Sequence, residues 1–109
     1  MTKTLKEARS YAAGLRDAMA EGYPVDVQPF VIPPFTATDT VVRTLGARSP
    51  VLVGVQNAHW EDAGAWTGEI SVPQAKDAGA SIVEIGHSER REHFGETIDT
   101  TRRKVRATI

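Results

Sequence analysis

The sequence predicts an α/β protein built on a parallel sheet. Apolar, β-prone runs alternate with amphipathic or capped helical segments, in the order helix, strand, helix, strand, helix, strand, helix. The middle strand is near-continuously apolar, as strands buried on both faces tend to be. Each strand is followed by a cluster of polar, aromatic or proline residues, and in open or barrel-like parallel sheets ligands collect at those carboxyl ends.

Taken in order, Thr4-Leu5-Lys6-Glu7 has the form of a capping box. Leu5, Ala8, Tyr11, Ala12, Leu15, Ala18 and Met19 then follow at the three-and-four spacing of one helix face, and Gly22 offers a stop. Phe30-Val31-Ile32 reads as the first strand, ended by Pro33-Pro34, whose rings cannot continue a central ladder. A helix is expected from about Thr38, with Val41, Val42 and Leu45 on one face and Gly46 after it. Val51 to Val55 is the second strand. Gln56 to Ser71, QNAHWEDAGAWTGEIS, is a polar and aromatic loop of a length that is usually functional. Ser71-Val72-Pro73-Gln74 opens another helix with a second capping box and a proline in the first turn; Gly79 closes it. Ser81 to Ile85 is the third strand and Gly86 to Glu96 a loop. A last helix runs from Thr97, carrying Ile98, Thr101, Val105 and Ile109.

The 109 residues suffice for one small domain. With 13 Lys and Arg against 14 Asp and Glu, the net charge of −1 provides no field to attract nucleic acid or an anionic membrane. There are no cysteines, which excludes disulfides, thiolate metal sites and a cysteine nucleophile. No stretch approaches the roughly 18 apolar residues that span a bilayer, and the N-terminus has no signal-peptide core. A cytoplasmic protein without nucleic-acid or membrane partners is expected.

Four motifs then stand at the ends of three successive strands: Pro33-Pro34-Phe35-Thr36, Gln56-Asn57, Gly64-Ala65-Trp66-Thr67-Gly68-Glu69-Ile70-Ser71, and Gly86-His87-Ser88-Glu89-Arg90-Arg91 with Phe94-Gly95-Glu96. In order and spacing they resemble the triosephosphate isomerase family, over essentially the whole chain. The resemblance implies a partial TIM (β/α)8 barrel: three parallel strands, the second to fourth of the barrel, with their flanking helices, out of a fold of about 250 residues. Residues 1–109 would then be an incomplete barrel domain. Met1 to Leu5 resembles the exit from the family's first strand. There the resemblance implies a catalytic lysine just before Met1, and Thr2 stands where an asparagine is expected. The glutamate base, the closing lid and most of the phosphate site are implied beyond Ile109.

The reaction so implied interconverts an aldose phosphate and a ketose phosphate, glyceraldehyde 3-phosphate and dihydroxyacetone phosphate, by proton transfer through an enediol, with no cofactor. His87 matches the family's carbonyl-polarising group, for which a neutral imidazole at a helix N-terminus is the known arrangement. By parity with Ile85 it points into the barrel. Glu89 matches a second acidic residue of the site; the alternative is a structural ion pair with Arg90 or Arg91. Gln56 and Ser88 are supporting residues, Ser88 as a cap or brace of the His87 loop. Arg90, Arg91 and Glu96 are expected to fix that loop, since a guanidinium fork pairs well with a carboxylate.

Gln56 to Ser71 resembles the loop through which family members form homodimers, with Thr67 at its reach and Trp66 or Trp60 as aromatic anchor; a tryptophan folded back on its own domain is the alternative. His59 and His93 read as surface histidines, and no spacing supports a metal site. His59-Trp60 and Glu84 resemble the tetrulose-phosphate isomerase branch, which serves sugar-alcohol catabolism. By parity Glu84 should face the helices and not the substrate. A non-catalytic interaction module is a further alternative. Lys3, Arg90 and Arg91 do not amount to a phosphate cradle. Taken alone, the 109 residues are expected to be inactive and to aggregate or fold loosely, because three strands cannot close a barrel.

Overall fold

The structure, a computed structural model, describes residues 2–109; Met1, which begins the segment likened to a strand exit, lies outside the described residues. The capping box forms as expected. Thr4 Oγ1 accepts the Glu7 N–H at 3.4 Å while Glu7 accepts the Thr4 N–H at 2.8 Å, and helix α1 runs Leu5–Glu21. Strand β1 is Phe30–Val31, stopping short of Ile32 as the chain enters Pro33-Pro34. One turn of 3₁₀ helix, Phe35–Ala37, leads into α2, Thr38–Leu45. Strand β2 is Leu52–Val55, and α3, Val72–Asp77, starts on the Ser71/Gln74 box. Strand β3 is Ile82–Val83.

The three strands form one parallel sheet in the order β1-β2-β3, with Phe30 opposite Leu52 and Gly54 opposite Ile82. Helices α1 and α2 cover one face. There Ala8 and Ala12 of α1 meet Ala37, Val41 and Leu45 around α2 and Val51 and Val53 at β2. This core is made of small side chains: the largest that are fully buried are Val55 and Thr38. The other face is poorly covered, and Phe30 on it is 57% exposed. Gly54 lies between the neighbouring strands so closely that a Cβ there would come within 3.1 Å of both Ile32 and Ile82.

Two expectations about the last third are corrected. Gly86 to Glu96 is not all loop: it contains helix α4, Ser88–His93, six mostly charged residues whose N-cap is His87. Helix α5, Ile98–Thr108, exists as expected and its cap is Thr97, but the stripe Ile98, Val105, Ile109 does not pack inward. Ile98 is 74% exposed, and the residue α5 does bury is Lys104.

Candidate active site

The site grows from the end of β3. Gly86 takes a φ of 74°, in the left-handed region, and re-aims the chain so that His87 sits at the mouth of α4. His87 Nδ1 accepts the backbone N–H of Glu89 at 3.2 Å, and the His87 carbonyl receives the N–H groups of Arg90 and Arg91. An imidazole nitrogen that accepts carries no proton, so the neutral ring holds its hydrogen on Nε2. Nε2 lies 3.9 Å from Glu84 Oε1, and both residues line a cavity of about 570 Å³ with Phe35, Gln56, Asn57 and Glu89. Strand-end residues of β1, β2 and β3 are thus brought together, as the parallel sheet predicts.

The cap is made by His87 and not by Ser88, whose side chain is exposed. Glu89 does not pair with Arg90 or Arg91: its carboxylate is 75% exposed and lies 3.8 Å from His87 Nδ1. The arginines are held elsewhere. Arg90 Nε donates to Glu96 at 3.0 Å and Arg91 Nε to the Gly86 carbonyl at 2.8 Å, so both brace the His87 loop as expected.

Glu84 corrects the parity argument. Its carboxylate lines the His87 cavity, with Oε1 3.9 Å from His87 Nε2. Regular strand ends at Val83 and Gly86 breaks the pleat, so alternation counted through residues 84–87 no longer assigns faces.

Sequence reasoning missed the buried centre beneath this loop. Lys104 Nζ donates to Glu96 Oε1 and, at 2.9 Å, to Asn57 Oδ1; all three residues are buried. Glu96 therefore accepts from Lys104 on one oxygen and from Arg90 on the other. A carboxylate removed from water needs such partners to stay charged. The available signal was position: Lys104 follows Thr101 by three residues, on the side of α5 that returns to the sheet.

The Gln56 to Ser71 loop is pinned at its base, where His59 N–H donates to the Ile70 carbonyl at 2.8 Å and His59 bridges to Ser71. His59, expected at the surface, is 5% exposed. Its ring lies 4.2 Å from Trp60 and 4.4 Å from Trp66, and Nδ1 is 3.9 Å from Glu69. Trp60 is half-buried, with Arg103 over its ring, whereas Trp66 remains 47% exposed beside Thr67. His93 is exposed as expected. Among the described residues no group of three or more His, Cys, Asp or Glu is arranged to hold a metal, and no helix is long and apolar enough to cross a membrane.

A parallel sheet flanked by helices, with a histidine donor and polar side chains gathered at its carboxyl ends, defines a segment of a β/α barrel. The family model described as triosephosphate isomerase matches residues 1–109, and the chain belongs to that family. It is 67% identical over all 109 residues to a Mycolicibacterium smegmatis protein named L-erythrulose-1-phosphate isomerase, of which it covers 41%. Proteins of the same name from Brucella abortus and Mesorhizobium japonicum are 57% and 53% identical over the whole chain, which covers 42% of each. The chain thus spans about two fifths of the length of these relatives.

Proposed function

We propose that these residues serve an isomerase that moves a proton between adjacent carbons of a small phosphorylated sugar, through an enediol and without a cofactor. The observation that carries this is the hydrogen bond that His87 Nδ1 accepts, which leaves Nε2 as the donor of a ring lining the strand-end cavity with Gln56. A neutral donor there hydrogen-bonds the substrate carbonyl and stabilises charge on its oxygen as the neighbouring carbon loses a proton. Glu89, on the other side of the ring, adds its N–H to that orientation and its carboxylate to the site's charge. Ser88 and Gln56 support the loop and the cavity wall.

The family supports the aldose–ketose pair glyceraldehyde 3-phosphate and dihydroxyacetone phosphate. The printed names of the relatives support a second substrate, L-erythrulose 1-phosphate, with four carbons. We place the protein in the cytoplasm as a homodimer, with Trp66 and Thr67 on the loop that meets the partner. The 109 residues alone are proposed to be inactive, since the lysine and glutamate base that the family mechanism uses are not among them. A chimera in which residues 1–109 replace the matching segment of the M. smegmatis relative tests the reading. It should isomerise at least one of the two ketose phosphates, and His87→Gln should lower kcat by about 10²- to 10³-fold. Turnover of neither sugar, or an unaffected His87→Gln variant, would refute it.

A further inference from the structure

The geometry points to Glu84 as the residue that selects substrate by chain length, accepting a hydrogen bond from the terminal hydroxymethyl group of a four-carbon ketose phosphate. The inference rests on the isomerase reading above. Glu84 Oε1 lies 3.9 Å from His87 Nε2, too far for a direct hydrogen bond but close enough for both to contact one small molecule. The two groups are complementary: the imidazole presents a donor and the carboxylate an acceptor.

Glu84 is also poised for this. Its backbone N–H donates to the Val55 carbonyl at 2.9 Å, which ties it to the end of β2, while its carboxylate receives no hydrogen bond among the described residues. Glu89 differs, standing 75% exposed on the Nδ1 side of the ring, against 37% for Glu84 on the donor side. A carboxylate in a cavity wall whose oxygens no protein donor occupies is open to accept from a ligand hydroxyl that displaces its water.

The chemistry of the candidates selects which hydroxyl. Dihydroxyacetone phosphate and erythrulose 1-phosphate share the phosphate-bearing carbon, the carbonyl and the hydroxyl-bearing carbon next to it. They differ by one hydroxymethyl group on that last carbon, on the side away from the phosphate. With the carbonyl oxygen on His87 Nε2, a group extending from the neighbouring carbon can reach Glu84 without disturbing the shared atoms. A site built to bond a hydroxyl discriminates strongly against the analogue without it, because the acceptor is then left unpaired.

In the chimera described above, kcat/KM on L-erythrulose 1-phosphate and on dihydroxyacetone phosphate would be compared for Glu84, Glu84→Gln and Glu84→Leu. Glu84→Leu should lose about 10- to 100-fold on the four-carbon sugar and little on the three-carbon one. Glu84→Gln, which keeps a neutral acceptor, should fall between. Equal losses on both sugars, or none on either, would overturn the assignment while leaving the isomerase reading intact. A parent chimera that turns over neither sugar would overturn both.

Discussion

At the N-terminus of α1, Glu7 shows how a single residue ties local structure to pH. It accepts from the Thr4 backbone N–H and then from the Thr4 hydroxyl, and these bonds hold its carboxyl below the ordinary value of 4.5. The lowered value means that the folded cap favours the ionised form, so its contribution is present above the unfolded pKa and is lost as pH falls through the folded one. An NMR titration of the Glu7 carboxyl carbon should give a midpoint below 4.5, and Thr4→Ala should raise it; a midpoint unmoved by Thr4→Ala would contradict the account. The cap was legible because both partners lie three residues apart. His87 was legible for a different reason, since a strand end followed by Gly-His is a local pattern. Lys104 was not, because its partners Asn57 and Glu96 are 47 and 8 residues away, and its place on the Thr101 side of α5 hints at burial without naming them. Glu84 was misassigned because parity was carried past the end of regular strand.

Among elements, the strands and helices α1, α2, α3 and α5 were read from apolar periodicity and caps, and these signals arise from burial. Helix α4 escaped because SERREH buries nothing: its six residues are held by the His87 cap and the arginine bonds, not by an apolar face. The α5 stripe failed for the converse reason, since the helix docks through ions and leaves Ile98 and Val105 outside. The end of α3 rests on geometry that only glycine supplies. Gly79 has a φ of 88°, and a Cβ there would lie 2.7 Å from Val42 Cγ1 on α2. Gly79→Ala should therefore destabilise the chimera by about 1–3 kcal/mol through strain and overpacking together. Chemical denaturation measures this, and a change under half a kcal/mol would show that α2 yields freely.

For the molecule as a whole, the sheet decides behaviour. β1 and β3 each leave one ladder edge unpaired among the described residues, one face is thinly covered, and the core holds no side chain larger than leucine. The radius of gyration, 14.8 Å, exceeds the roughly 13 Å usual for this length. The 109-residue polypeptide on its own should accordingly self-associate at micromolar concentration, as light scattering after gel filtration would show. A monodisperse monomer with a cooperative thermal transition would refute that. The buried Lys104 centre also bears on the order of events in folding. Its bond to Asn57 closes a span of 47 residues, and its pairing with Glu96 requires two charged groups to shed water before they gain each other. Such a contact is costly to form early, so we expect it on the native side of the folding barrier. Lys104→Met in the chimera should then speed unfolding while leaving the refolding rate nearly unchanged. The ion centre would act as a clasp that governs how long the native state lasts, not how fast it is reached.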